Sequence, residues 1–246
     1  MKYISIPSVV GVVIPKANSR HTILGRFCAS WCTDAGVDRL NALLDNPAND
    51  NRPFAQLQAE ASAHQRDNYI KPRLTPAALE SFPLDPADDP GLLKCEPWGL
   101  ARQIFAPHQI EIRQRGKDRI ELRYGEWDAR RTVHLDRRGP PANHLPSRLG
   151  YSVGRWEGDT LVVETVGVAP NQTIWWSRHS EQLRVVERFT RSADGATLHL
   201  TATLEDPWSL REPVVLKRNW QWAPTSQISP YEDCEPPVSV KRGVGR

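Results

Sequence analysis

Beyond residue 109 the apolar residues of this chain recur at every second position, a period that belongs to strands with one face buried and the other wet. Ile110, Ile112 and Gln114 alternate with Glu111, Arg113 and Arg115. A turn at Gly116, Lys117 and Asp118 follows, and Ile120, Leu122 and Tyr124 then alternate with Glu121 and Arg123, which predicts a hairpin. In the next strand Arg131, Val133 and Leu135 share one face, while Thr132, His134 and Asp136 share the other. Residues 152–156 lead through Glu157, Gly158 and Asp159 into 160–165, a second hairpin with its glycine in the turn. Further strands are expected at 182–191, 196–205 and 213–222, the first two joined by Asp194 and Gly195. About eight short antiparallel strands predict a mainly β fold, an antiparallel β-barrel of lipocalin-like or cyclase-like type. A barrel is preferred to a curved sandwich because sequence neighbours then pair all the way round and fewer edges stay open.

Upstream the period lengthens to that of a helix. Val37, Leu40, Leu43 and Leu44 recur at helical spacing, residues 54–69 are rich in Ala, Gln and Glu, and two helices are expected between 34 and 69. Thr75 followed by Pro76 reads as an N-cap with proline at the first helical position, opening a short helix that ends before Pro83. Pro83, Pro86 and Pro90 then make 82–90 a connector. The expected organisation is an arm and helical extension over 1–92 packed on the barrel, the barrel over 93–237, and a tail over 238–246. The 21 prolines therefore belong to connectors and strand junctions, not to disorder.

Composition narrows the partners. Of the 246 residues 39% are hydrophobic, enough for a packed core, and 32 Lys and Arg against 29 Asp and Glu leave a net charge of only +3. Such a balance offers no electrostatic grip on nucleic acid or an anionic membrane, and no apolar run is long enough to span a bilayer as a helix. A small-molecule ligand or substrate is the expected partner, and homo-oligomerisation stays open. Residues 4–14 resemble the apolar core of a signal peptide, but Pro7 interrupts them and 15–19 is a poor cleavage site, so the cytoplasm is slightly favoured over export. Cys95 and Cys234 share the context Cys-Glu-Pro and either bridge in an oxidising compartment or remain buried thiols. Cys28 and Cys32, spaced C-x3-C, fit neither a redox nor a zinc motif and read as structural. No metal motif, phosphate loop or nucleophile elbow is present, and no metal or cofactor is expected.

The alternation is most informative where it turns a charge inward, because an unpaired buried charge is costly. Glu187 falls among Leu183, Val185 and Phe189; Arg218 falls between Leu216 and Trp220; Arg131 falls with Val133, and Tyr124 offers a phenol on an inward face. One reading is an ion pair satisfied within the core. The other makes Glu187 a desolvated acid or base, with Arg131 and Arg218 stabilising an oxyanion and Tyr124, Tyr151 and His179 as further proton donors. His179 follows Trp175 and Trp176 in a loop before the Glu187 strand, so these tryptophans, with Trp220, are expected to wall a pocket. Glu164 is ambiguous because its strand is apolar on both faces, and His134 and His199 fall on polar faces and read as solvated. The expected function is a cofactor-independent lyase, isomerase or cyclase acting by proton transfer on a small, largely apolar, oxygenated molecule. The alternatives are a non-catalytic lipocalin-like carrier and an interaction module anchored by exposed tryptophans.

The block LGYSVGRWEGDTLVVET at 149–165 resembles the signature of a large, uncharacterised bacterial protein family. The likeness extends over about 93–236, taking in residues 93–97, 131–136, His179 with Ser180, 185–188 and 231–235. Many members of that family look exported, which favours a Cys95–Cys234 bridge, and the family would have His where this chain has Tyr151. The resemblance implies a shared fold and pocket and carries no activity with it.

Overall fold

The structure is a computed structural model that describes residues 25–29, 60, 63–84, 96–104, 109–170, 173–174, 177–225 and 228. The expected signal-like segment, the helices before residue 60, Cys32, Cys95, Cys234, Trp175 and Trp176 lie outside the described residues. Eleven strands are present among those described: β1 (Gly25–Ala29), β2 (Ile110–Arg115), β3 (Arg119–Tyr124), β4 (Arg130–His134), β5 (Tyr151–Glu157), β6 (Thr160–Val166), β7 (Thr173–Ile174), β8 (Ser177–Arg178), β9 (Arg184–Arg191), β10 (Thr197–Glu205) and β11 (Val214–Trp222). β2 to β6 and β9 to β11 form one mixed, strongly curled sheet, a half-barrel, in the order β11-β10-β9-β6-β5-β4-β3-β2. The short β1 pairs antiparallel with both edges, Phe27 opposite Ile110 of β2 and opposite Trp222 of β11. β7 and β8 form a separate two-stranded sheet inserted between β6 and β9.

The sheet is not all antiparallel as the alternation suggested. β4 and β5 run parallel, through only two register pairs, Val133 with Ser152 and His134 with Val153. A parallel pair needs a connection long enough to return the chain to its starting end, roughly a dozen residues or more. The segment 135–150, with Pro140, Pro141 and Pro146, supplies it. Alternation reports which face a residue takes and is silent on strand direction, so this reversal left no trace in the pattern.

Inward-facing Ile110, Ile112, Ile120, Leu122, Val133, Leu161, Val163, Val185, Phe189, Leu200, Ala202, Leu204, Val214 and Trp220 are all buried in one core. One end of the sheet is covered by short helical pieces. A helical segment runs to Arg73, and Thr75 caps α1 (Pro76–Leu79) as expected, its Oγ1 accepting from Ala78 N at 3.3 Å, although the helix is a single turn. This segment is tied to the β10–β11 connection by Thr75 N to Ser209 O and Arg211 N to Arg73 O, and Tyr69 Oη donates to Val215 O at 2.7 Å. It adds Ile70, Leu74 and Ala78 to the core, while α2 (Leu100–Gln103) adds Leu100 and Ala101 and anchors to the long connection through Leu100 N to Arg148 O.

Two glycines of the 149–165 block are required by space. Gly150 has φ +65°, and a Cβ there would meet Val166 O at 2.7 Å; at Gly154 a Cβ would lie 2.6 Å from Val133 Cγ1. Both let β5 lie close against its neighbours. Gly150→Ala combines a left-handed backbone with a clash against main chain, and the expected loss is at least ~2 kcal/mol. Thermal unfolding of the variant checks this, and an unchanged Tm would show that the start of β5 gives way freely.

Candidate functional site

The alternation of β9 turns Val185, Glu187 and Phe189 inward, and Glu187 is fully buried at 0% exposure. Its register neighbours are Val163 on β6 and Ala202 on β10. Arg131, the second residue of β4, is buried beside Leu122 of β3. Since β5 and β6 lie between β4 and β9, the two side chains meet across the concave face. Arg131 Nη2 donates to Glu187 Oε1 at 3.0 Å, and Nη1 lies 2.8 Å from Oε2 in charge contact but outside hydrogen-bond geometry. Tyr124, at the end of β3, is buried beside them, the Arg131 guanidinium carbon 5.9 Å from its ring centre.

This cluster has hydrogen-bonding capacity left over. Tyr124 Oη, Arg131 Nε and Nη1, and Glu187 Oε2 are all buried and have no hydrogen-bond partner among the described residues. Nη1 and Oε2 lie 2.8 Å apart and balance each other's charge, so the capacity left over is that of Tyr124 Oη and Arg131 Nε, two buried donors that would gain from a polar partner. Burial, helped by the Glu187 charge and opposed by Arg131, pushes the Tyr124 phenol far above its ordinary range, so it is a donor at any physiological pH. Burial alone would weaken the Arg131 charge, but Glu187 and Tyr124 outweigh it and Arg131 stays a cation.

Other expected site residues sit elsewhere. Arg218 is inward and buried, one inward-facing step beyond Leu216, with its guanidinium carbon 5.2 Å from the ring of the equally buried Trp220. Glu164 is on the outer face, because the register of Val163 with Glu187 turns its neighbour out. There Arg184 bridges Glu164 at 2.8 Å and Glu205 at 2.7 Å, and the Arg184 hydrogen bond holds the Glu164 carboxyl below the usual range. Tyr151 is also on the outer face, stacked on His134 at 4.7 Å. His134 is thus half-buried instead of solvated, and burial lowers its pKa; His199 is exposed, its Nδ1 2.7 Å from Asn219 Oδ1.

His179 is buried at 2% exposure in a network the alternation did not reveal. Its Nδ1 meets Ser180 O at 2.8 Å, its Nε2 has no hydrogen-bond partner among the described residues, and the neighbouring Asp206 accepts from Ser180 N (2.8 Å), Ser180 Oγ (2.5 Å) and Ser209 Oγ (2.7 Å). This ties the start of β9 to the turn after β10. The signal for it was the turn-forming run Asp206 to Ser209, since a carboxylate there caps its own turn. No family model matches the chain, and neither a curated protein nor a solved structure is significantly similar to it.

Two outcomes test this arrangement. Glu187→Ala leaves the Arg131 charge buried alone and is expected to cost ~3–5 kcal/mol in urea unfolding, while Arg131→Met combined with Glu187→Leu regains most of it. A single-variant loss within ~0.5 kcal/mol, the range of a surface change, would mean that the bridge does not hold the interior. The second outcome concerns pH. Burial lowers the His179 pKa in the folded state, so the unfolded chain binds the proton more readily. His179 therefore leaves stability intact above the ordinary imidazole pKa of about 6.5 and erodes it as the pH falls below that value. His179→Asn, which keeps a donor toward Ser180 O, should flatten the fall in Tm between about pH 7.5 and 5 relative to the parent. Parallel curves for the two proteins would contradict this.

Proposed function

We propose that the protein binds a small, largely apolar, oxygenated molecule inside a lipocalin-like or cyclase-like barrel and moves a proton on it without a cofactor. The observation that carries this reading is the pair of buried donors with no hydrogen-bond partner among the described residues, Tyr124 Oη and Arg131 Nε, beside the Arg131–Glu187 bridge in otherwise apolar surroundings. Its composition suits a carbonyl compound: two donors for one oxygen and, beside them, the Glu187 carboxylate, whose Oε2 would give up its contact with Arg131 Nη1 to act as a base. Glu187 would take a proton from the carbon next to the carbonyl, and the electron pair would move onto the carbonyl oxygen. Arg131 and Tyr124 would stabilise the resulting enolate, and Glu187 would return the proton at the same or a neighbouring carbon. That sequence is an isomerisation and needs no further reactant. Departure of a β-substituent from the same enolate would make the reaction a lyase step.

The carrier reading rests on a different fact: Glu187 Oε1 is already engaged by Arg131, which suits a group that orients a guest instead of reacting with it. Deuterium exchange separates the two. Enolisable ketones found to raise the Tm are incubated in D2O and followed by NMR. Exchange at the α-carbon that disappears in Glu187→Gln, falls at least about tenfold in Tyr124→Phe, and leaves affinity within about threefold supports proton transfer. Binding without exchange supports the carrier, and no binding by any member of the panel counts against both.

A further inference from the structure

The 149–165 block begins with residues that the interior cluster does not use. Tyr151 opens β5 on the outer face, and the chain just before it is drawn away from β4: Ser147 N donates to Gly167 O, and Ala169 N donates to Ser147 O. Gly150 lies tightly against Val166 and Thr165 of β6. The parallel ladder between β4 and β5 is only two pairs long, so the strands part below Val133, and an open groove of about 400 Å³ runs along the seam. Arg130, Thr132 and His134, the outward row of β4, form one wall; Arg148, Leu149 and Tyr151 form the other.

The chemistry of these walls is specific. The His134 and Tyr151 rings are stacked, parallel within 5° with centres 4.7 Å apart, so each spends one face on the other, and His144 is set edge-on to Tyr151 at 5.0 Å. Desolvation keeps the His134 ring neutral near pH 7, so the pair is polarisable and uncharged. Positive charge stands beside it. Asp128 is shared by Arg123 and by Arg130, the latter at 3.0 Å, and Glu121 and Glu111 also act on the Arg130 charge from nearby. Arg148 is balanced by Glu96 and also donates to Pro97 O at 3.0 Å, which makes it a fixed wall. Arg130 is about half exposed and has donors to spare.

We propose that this groove is a binding site for a planar aromatic carboxylate, its ring packed against the Tyr151–His134 pair and its carboxylate held by Arg130. Flat rings gain most against flat rings, and a guanidinium is matched to a carboxylate in plane. The groove volume lies within the range of about 300–1,000 Å³ found for small-molecule sites. The groove opens on the opposite face of the sheet from Glu187, with Arg131 and Ser152 bordering it where the seam parts, and the proposal does not depend on the interior reading.

The test titrates the intact protein with 2-naphthoate, and with two probes that each lack one feature: cyclohexanecarboxylate, which is not flat, and 2-naphthamide, which is not charged. 2-Naphthoate is expected to bind at least about tenfold more tightly than either. Arg130→Gln, an exposed change that does not threaten folding, and Tyr151→Leu should each weaken it about tenfold, while Tyr151→Phe and Tyr124→Phe leave it unchanged. Asp128→Asn should tighten it, since Asn tolerates the positive φ of 48° there and Arg130 loses its competitor. The proposal is overturned if 2-naphthoate fails to bind at millimolar concentration, if it binds no better than the two probes, or if Tyr124→Phe weakens it and Arg130→Gln does not.

Discussion

The interior of this protein is organised by one ion pair. Arg131 and Glu187 stand on strands separated by two others, and they touch only because the sheet curls enough to bring β4 over β9. Flattening the sheet would part them and leave two charges in an apolar core, where each alone is strongly unfavourable. The contact is therefore available only to the curled sheet, with β4 and β9 at matching height. It also sets what the interior can hold. Both carboxylate oxygens are held against the guanidinium, Oε1 by a hydrogen bond and Oε2 by a charge contact, and Arg131 Nε with the Tyr124 phenol leaves a small polar spot in a core of Ile, Leu and Val.

The second organising feature is the parallel seam between β4 and β5. A long connection returns the chain to the same end of the sheet, and glycines at 150 and 154 let β5 settle against β6 and Val133. The consequences appear on both faces. Inside, Ser152 and Thr165 hydrogen-bond at 2.8 Å and join the buried layer. Outside, the short ladder leaves the groove that carries Tyr151 and His134. A single block of sequence thus shapes both faces of the sheet, one residue in and the next out.

Much of this was legible in the alternation. The inward placement of Glu187, Arg131, Tyr124, Arg218 and Trp220 follows from period 2 alone, because a pleated strand leaves successive side chains no other choice. Thr75 was legible as a helix cap for a similarly local reason. Glu164 was not, since its strand is apolar on both faces: Val162 is buried on the outer side, where its register neighbours are Arg155 and Arg188, joined through Glu157. His134 read as a solvated polar-face residue and Tyr151 as a further proton donor of the interior site, and they are a stacked pair on the outer face. The Asp206 network escaped because its members, Ser180, Asp206 and Ser209, come from two separate turns.

What the sequence by itself determined is the side that residues take in strands with one apolar face, and so the existence of a mainly β fold with charges turned inward. That information is local, carried by the pleat of each strand. The tertiary structure decided which groups meet: that Glu187 faces Arg131, that Glu164 is turned out to Arg184, and that Tyr151 stacks on His134 across a parallel seam. Those pairings depend on strand direction, register and curvature. They arise from packing many strands at once, and no single strand encodes them.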